Sequence, residues 1–504
     1  MTTFLIGLVI LFAGAAVYGK ICENVIKPDD RKTPAFTKED GVDYVPMKTW
    51  KNSLINLLNI AGTGPILGPI QGILFGPIAF ILIPIGNILG GSLHDYFSGM
   101  LAIRNNGMQM PDLVKKYTNV PVYNLYNVFV CLLMLLVGAV FIYTPGDIAA
   151  VQVFKLSGAA SDPSTWVVYG AIFIYYIMAT MFPIDKLIGR IYPIFGAILL
   201  FSAVGVFGGI FLKGYNLPEF TMESLRVGHP AGQRLIPMFF ITVACGIVSG
   251  FHSTQTAIIS RNVTNEKQGR MTFFNMMVLE GFIAMIWAAA AIGAVNKGIV
   301  VSDAFPGQFD MLLKAPALVI GTVARDMLGN VGGMIAILGV IVLPITSGDT
   351  ALRSLRLMIA DYIHLDQKPT RNRLYICLPV FALVAAILYW AKSSPGGFNV
   401  LWRYFAWSNQ TISIFAFGII SIYLLGKGLR TAAFMSLIPG MWYAFITFTF
   451  ICNAAIGFNL PMNIAYALGV IFAFVYGALV YTKGNRIRAA HTPLEAEPVY
   501  AKGF

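Results

Sequence analysis

One apolar segment of the chain reads Ile55-Asn56-Leu57-Leu58-Asn59-Ile60-Ala61-Gly62-Thr63-Gly64-Pro65-Ile66-Leu67-Gly68-Pro69-Ile70. Its hydrophobicity is that of a membrane-spanning helix, but its glycines and prolines disfavour an unbroken one. A second apolar segment is interrupted at Ser249-Gly250-Phe251-His252-Ser253, five predicted spans later. Paired interruptions at matching positions in two halves of a chain are typical of a transporter's binding site. The alternative for either segment is a kinked helix whose glycines allow close packing.

The composition excludes an ordinary soluble globular protein. Of the 504 residues, 57% are hydrophobic and 12% are charged, and the mean hydropathy is +0.72. These values predict an all-α polytopic membrane protein. The net charge of +12 does not indicate nucleic acid, because the lysines and arginines lie at span ends and in loops. The five cysteines are scattered without metal-ligand spacing, which favours packing roles.

About thirteen membrane-spanning helices are predicted from apolar runs of roughly 20 residues. Their expected ranges are 2–19, 52–71, 75–103, 124–144, 166–182, 189–213, 236–258, 275–296, 331–349, 373–391, 399–425, 432–453 and 462–482. With these spans, eight of the 35 basic residues fall on one side, 26 on the other, and Arg403 within a span. The positive-inside rule then predicts an N-terminus outside and a C-terminus in the cytoplasm.

The order of the spans predicts two inverted halves of five helices each, because an odd number of spans reverses the direction of the second half. The interrupted spans are then the first and the sixth helix of this core. The expected units are 1–51 (first span and loop), 52–213 (first repeat), 214–425 (second repeat) and 426–504 (two further spans and a tail). We expect the tail after Tyr481 to be flexible.

Polar and small residues at the two interruptions are the candidates for binding a solute. Freed carbonyls would bind a cation, and the start of a half-helix would attract an anion. The candidate residues are Gly62, Thr63, Gly64, Gly68, Ser249, His252, Ser253, Gln255 and Asn409. His252 could also couple protons through its imidazole, or it could be a structural histidine bonded to a carbonyl. Arg403 could meet a carboxylate solute or extend to the outer surface.

Four titratable residues in or near the spans are candidates for proton coupling, since such groups are expensive in a membrane unless they have a function. They are His94, Asp95, Glu280 and Asp349. Asp95 could alternatively hold backbone amides, and Asp349 could pair with Arg353. The adjacent hydroxyls of Thr346 and Ser347 would suit a hard cation such as sodium. Alternatively, these hydroxyls could form hydrogen bonds with the unpaired carbonyls at the end of a helix.

Motifs of known enzymes are missing from the sequence. It has no Gly-x-Ser-x-Gly, no His-Glu-x-x-His, no P-loop and no dinucleotide-binding fingerprint. We therefore expect neither an enzyme nor a cofactor, apart from a possible bound sodium ion. Transport by such a chain would draw its energy from an ion gradient rather than from ATP.

Several motifs along nearly the whole chain resemble the carbon starvation protein A (CstA) family of bacterial inner-membrane transporters. The motifs are Gly41-Val-Asp-Tyr-Val-Pro46, Ala61-Gly-Thr-Gly-Pro-Ile-Leu-Gly-Pro69, His94-Asp95 with Arg104-Asn-Asn-Gly107, Ser249-Gly-Phe-His252 and Trp407-Ser-Asn-Gln410. The resemblance implies peptide or pyruvate uptake, a LeuT-like five-plus-five fold, and a sodium site at the position of Thr346 and Ser347. The chain differs from long members of the family, which have more spans and an Asp-Ala-Gly-Thr-type run where this chain has Thr346-Ser-Gly-Asp349.

The sequence thus predicts a secondary active transporter in the bacterial inner membrane. It would import a peptide, an amino acid or a small carboxylate such as pyruvate, together with protons or sodium. An uncoupled channel or facilitator for small solutes is the alternative. A sensor or membrane-bound enzyme is disfavoured because the chain has no soluble domain and no catalytic set.

Overall fold

The computed structural model describes residues 1–41, 43–181, 185–367 and 369–500, and these are helical with no β-strand. The side chains of 180, 181, 185–193, 346, 349 and 361 are outside the description. The helices are α1 (Thr2–Ile26), α2 (Pro34–Thr37), α3 (Thr49–Ile60), α4 (Gly64–Gly72), α5 (Ala79–Gly86), α6 (Leu93–Arg104), α7 (Met110–Tyr117), α8 (Val120–Asp147), α9 (Pro163–Met181), α10 (Asp185–Leu212), α11 (Met222–Val227), α12 (Leu235–Thr242), α13 (Gly250–Ile259), α14 (Asn275–Asn296), α15 (Asp310–Lys314), α16 (Pro316–Tyr362), α17 (Thr370–Ser393), α18 (Gly397–Gly426), α19 (Arg430–Asn453) and α20 (Met462–Ala489).

Many of these helices are suited to a bilayer. In the described part of the chain, nine are long and apolar enough to cross one, and the bent pair α3–α4 makes a tenth candidate. The prediction of an all-helical, multi-pass membrane protein is confirmed. The number thirteen stays a prediction, because some expected spans fall on interrupted helices. The range 75–103, for example, covers α5 and α6 with a π-helical turn, Asn87–Ser92, between them.

The first predicted interruption lies where the sequence placed it. Helix α3 ends at Ile60, α4 begins at Gly64, and the two are bent by 49°. Pro65 stands in the first turn of α4, where its missing amide hydrogen costs nothing and its fixed φ favours a helix start. The local chemistry of the glycines and of this proline therefore accounts for the break.

The second interruption is longer and begins earlier than the sequence predicted. Helix α12 ends at Thr242 and α13 begins at Gly250, so His252 and Ser253 lie in the first turns of α13 rather than in the break. Gly246 has a φ of 89°, a left-handed conformation that side chains other than glycine's rarely adopt. Ser249 is extended and precedes the helix as its N-cap residue.

The two interruptions pack directly against each other. A β-carbon added at Gly64 would lie 2.2 Å from the Sγ atom of Cys245, and one at Gly68 would lie 3.0 Å from the carbonyl oxygen of Thr242. Only glycine at position 64 therefore allows the start of α4 to reach the second break this closely. The chain thus brings its two least regular membrane segments into one buried region.

The C-terminal segment differs from the expectation of a flexible tail. Helix α20 continues past Tyr481 to Ala489, and the residues beyond it return to the helix ends of the same face. The carbonyl oxygen of Leu494 accepts a hydrogen bond from the Tyr117 hydroxyl at 2.5 Å. The amide of Ala496 donates to the carbonyl of Arg104 at 3.0 Å.

Candidate functional site

Four buried titratable side chains form one connected cluster beside the second break. His94 and Asp95 lie on α6, His252 on α13 and Glu280 on α14, and each is 0% exposed. Asp95 Oδ1 lies 2.8 Å from His94 Nδ1, and Asp95 Oδ2 lies 3.0 Å from His252 Nδ1. Glu280 Oε2 lies 3.6 Å from His252 Nε2. The sequence named three of them as candidates for proton coupling and His252 as a candidate at the second interruption, and the structure brings all four together.

The geometry fixes which atoms of the cluster remain available. An ionised carboxylate only accepts hydrogen bonds, so Asp95 directs the N–H of each Nδ1 atom toward itself. The Nε2 atoms of both histidines and both carboxylate oxygens of Glu280 are buried without a hydrogen-bond partner among the described residues. Buried polar atoms of this kind are costly unless a proton, water or ligand engages them. The arrangement can therefore hold protons or bind a polar solute.

A π-helical turn positions the α6 half of the cluster. The turn Asn87–Ser92 directly precedes Leu93, the first residue of α6, and single π-helical turns are frequent at functional sites. Within it, Asn87 Nδ2 donates to the carbonyl oxygens of Gly246 at 3.0 Å and Met277 at 2.9 Å. Asn87 thus ties the second break and α14 to the segment that carries His94 and Asp95.

Helix α18 satisfies the backbone that the second break leaves unpaired. Asn409 Oδ1 accepts from the Phe251 amide at 2.8 Å, and Asn409 Nδ2 donates to Ser249 Oγ at 3.0 Å. Gln410 Nε2 donates to the Phe240 carbonyl at 3.0 Å, and Trp402 Nε1 to the Thr242 carbonyl at 3.2 Å. Unpaired backbone is tolerated at membrane depth only when protein groups or a polar cavity satisfy it.

The other predicted solute-binding residues are buried around the two breaks or on α13. Thr63 is 0% exposed, and its hydroxyl has no hydrogen-bond partner in the described part of the chain. A β-carbon added at Gly62 would lie 3.3 Å from the Cζ atom of Phe141. Ser253 Oγ donates to the Gly250 carbonyl at 2.6 Å, so this hydroxyl is used within α13. Gln255 lies two residues further along, with Nε2 donating to Thr254 Oγ1 at 3.2 Å.

The predicted sodium site falls partly outside the described side chains. Ser347 is buried on α16, whereas the side chains of Thr346 and Asp349 are not among those described. The Tyr176 hydroxyl lies 3.1 Å from the carbonyl oxygen of Pro344, which is on the same helix. Sodium binding here and proton coupling through Asp349 stay predictions.

Arg403 lies near a histidine that is not part of the buried cluster. It is half-buried on α18. Its positive charge disfavours protonation of His229, a residue of the loop before α12. Burial and the Arg403 charge together lower the pKa of His229 to about 4. Both alternatives for Arg403 stay predictions.

Cys245 is a member of the site that the sequence assigned to packing. Its Sγ atom, a ring nitrogen of His252 and a carboxylate oxygen of Glu280 all lie within 4.8 Å of one another. Such mixed donors also suit a soft divalent cation. Asp95, which lies 3.0 Å from His252 Nδ1, would orient this ring equally well for a proton or for a cation at Nε2. Asn87 and Trp402 were missed as well; the only signal was a polar side chain within an apolar span. Gln410 belongs to the motif Trp407-Ser-Asn-Gln410 but was not assigned to the site.

The chain matches the family described as "Carbon starvation protein CstA" over residues 1–153, 145–324 and 307–450. A relative named "Uncharacterized membrane protein" from Haemophilus influenzae is 38% identical over 358 residues, 62% of this chain and 96% of the relative. The peptide transporter CstA of Helicobacter pylori is 23% identical over 553 residues, 85% of this chain and 78% of that protein.

Two further similar proteins are a symporter, which is similar in sequence, and a metal transporter, which is similar in structure. The pyruvate/proton symporter BtsT of Escherichia coli is 26% identical over 345 residues, 55% of this chain and 47% of the symporter. A mutant manganese transporter of Eremococcus coleocola has a similar structure, with a TM-score of 0.53 and 12% sequence identity. That likeness covers 88% of this chain and 94% of the manganese transporter, and it concerns the fold alone.

Proposed function

The chain belongs to the carbon starvation protein CstA family, and we propose that it is a secondary active transporter importing a small organic solute with protons. The solute class is a short peptide, an amino acid or a small carboxylate such as pyruvate. The names of two relatives, a peptide transporter and a pyruvate/proton symporter, support this class. The observation that carries the proposal is the buried cluster of His94, Asp95, His252 and Glu280.

The cluster supplies a physical reason for coupling a solute to a proton. Its four groups are neutral together when both imidazoles are protonated and both carboxylates ionised, or in any state with equally many protons. A net charge buried at this depth costs several kcal/mol. A carboxylate solute binding beside the cluster adds one negative charge, and one further proton compensates it. Loss of either the proton or the solute leaves an uncompensated charge, so the two move together.

The proposed solute site lies between the two breaks. The start of α4 presents a positive helix end and the buried Thr63 hydroxyl, both of which favour a carboxylate. The contact between Gly64 and Cys245 brings this helix start next to the segment that leads into His252. In α13, Asn409 occupies the Phe251 amide, so we assign carboxylate binding to the α4 side.

We extend the proposal to the arrangement of the whole chain. The five-plus-five inverted repeat, with α3–α4 as its first helix and α12–α13 as its sixth, is the architecture that would let access alternate around a central site. The similar fold of a manganese transporter supports this arrangement. The location in a bacterial inner membrane, with an outer N-terminus and a cytoplasmic C-terminus, belongs to the same proposal.

Uptake by purified protein in liposomes tests the proposal. Labelled pyruvate, alanine and a dipeptide would be offered under an inward proton gradient or an inward sodium gradient, with protein-free liposomes and a protonophore as controls. We expect accumulation above equilibrium with the proton gradient alone. Equilibration of the solute that does not depend on either gradient would instead indicate a facilitator. Accumulation with the sodium gradient alone would favour a sodium site at Thr346 and Ser347.

A metal chelator distinguishes protons from a bound divalent cation, and it should leave uptake unchanged. A loss of uptake that added divalent metal restores would contradict the assignment of protons to the cluster.

A further inference from the structure

We propose that the acidic tail around Glu495 is a latch: it docks in a basic pocket at the ends of α6 and α18 and keeps this face of the transporter closed. The docking is a property of the fold itself, whereas its effect on transport rests on the proposed function. The positive-inside rule applied to the spans puts this face in the cytoplasm.

The pocket meets the Glu495 carboxylate with three cations from three separate segments. Lys427 Nζ lies 2.7 Å and Arg104 Nη1 3.4 Å from Oε1, and Arg31 Nη1 lies 3.0 Å from Oε2. The Tyr423 hydroxyl donates to Oε1 at 2.6 Å. The Glu495 side chain is only 12% exposed, so this is an enclosed site for a carboxylate rather than a surface ion pair.

The charges of the pocket require an acidic occupant. Glu266 is 0% exposed and holds Arg104 at 3.0 Å and Arg31 at 3.4 Å. Asp29 is a second anion there and holds Arg31 at 2.8 Å. Without Glu495, three cations would share these two carboxylates, and one positive charge would be left uncompensated in a partly buried place, which is costly. Burial alone would raise the pKa of Glu495, but hydrogen bonds from Lys427 and Tyr423 outweigh it and lower this pKa to about 2.

Backbone and apolar contacts extend the docking on both sides of Glu495. Lys116 Nζ donates to the Leu494 carbonyl at 3.3 Å, and the Lys32 amide donates to the Val499 carbonyl at 2.7 Å. The Leu494 side chain lies against Gly426, where an added β-carbon would be 2.8 Å from its Cδ1 atom. The tail therefore binds as a segment with a defined register.

The pocket joins the far ends of the helices that build the buried cluster. Arg104 ends α6, which carries Asp95 about 14 Å away along the helix axis. Glu266 follows α13, which carries His252, and Lys427 follows α18, which holds the second break through Asn409. A solute that moves from the cluster to this face needs these helix ends to separate. Glu495 holds the ends together through its contacts with Arg104 and Lys427. Release of the tail is therefore the step that lets the face open.

Glu495→Gln in the full-length protein tests the latch, with Glu497→Gln as matched control because Glu497 is exposed and lies two residues away. Hydrogen–deuterium exchange follows the docking without any transport. We expect amides of the tail, including Ala496, to exchange about tenfold faster in Glu495→Gln than in the control. Equal exchange in the two variants would overturn the docking.

Initial uptake rates of the same two variants test the effect on transport. We expect Glu495→Gln to take up solute about two- to threefold faster, because a released tail shifts the population toward the open face. Faster exchange with an unchanged uptake rate would overturn the latch while leaving the docking intact. If neither variant nor the unmodified protein transports any solute, the proposed function fails, and the exchange data still decide the docking.

Discussion

His252 Nδ1 lies 3.0 Å from Asp95 Oδ2, and this contact joins the half-helix after the second break to α6. The opposite edge of the same imidazole faces Glu280 at 3.6 Å. One side chain therefore bridges two buried carboxylates on two other helices. A change at His252 disconnects the cluster, whereas a change elsewhere on α13 does not.

His252→Gln should abolish gradient-driven accumulation, lowering it to the level of protein-free liposomes. Glutamine can form hydrogen bonds but does not bind a proton at neutral pH, so the coupling is lost while the cavity stays polar. The matched control is His229→Gln, which alters a buried histidine outside the cluster and should retain accumulation. Concentrative uptake by His252→Gln at the rate of this control would contradict the role of the imidazole.

Gly64→Ala should destabilise the protein by about 1–3 kcal/mol, the usual cost of overpacking. The new β-carbon would lie 2.2 Å from Cys245 Sγ and push the two breaks apart. Gly170→Ala is the control, because among the described residues no atom outside the adjoining helix backbone lies within 4 Å of its added β-carbon. Thermal unfolding in detergent measures both variants.

The double variant Gly64→Ala with Cys245→Gly tests the cause of that loss. Removing the Cys245 side chain clears the space, so part of the stability should return. If the double variant is no more stable than Gly64→Ala, the contact between the two breaks is not the reason.

Asn409→Ala should cost about 1–3 kcal/mol, because it leaves buried polar groups at the second break unpaired. The Phe251 amide and the Ser249 hydroxyl are the groups that lose their partner. Asn485→Ala, which removes one exposed hydrogen bond to the Tyr481 carbonyl, should change stability little. An equal melting temperature for the two variants would show that the break holds without Asn409.

Stability should fall as the pH falls from about 6.5 to about 4, through His229. Burial and the nearby Arg403 lower the pKa of this histidine to about 4, against about 6.5 in an unfolded chain. Between these values the unfolded state binds more protons, so unfolding becomes easier as the pH falls. His229→Gln lacks this dependence, and melting curves from pH 7 to pH 4.5 should show the two proteins diverging. Parallel curves would contradict the low pKa.

Local sequence chemistry accounts for the first break but only partly for the second. Gly62 and Pro65 dictate an interruption by their own backbone preferences, and the structure has it there. The second break runs from Val243 to Ser249 because Asn409, 160 residues away from Ser249, caps the start of α13. A contact between distant segments cannot be read from the span itself.

The candidate site shows the same division between local and distant information. His94, Asp95, His252 and Glu280 stand out in the sequence as titratable groups in apolar surroundings. Their convergence depends on how α6, α13 and α14 pack, which no spacing along the chain reveals. Asn87 was missed because a single amide in an apolar span has no motif, although its two carbonyl contacts position the site.

Proton movement driven by the solute is the most direct test of the central claim. Liposomes containing the protein and an internal pH dye would receive pyruvate or a dipeptide with no imposed gradient. We predict internal acidification on addition of a transported solute, and none with His252→Gln. Solute entry without any change of internal pH, measured in the unmodified protein, would contradict proton coupling through the cluster.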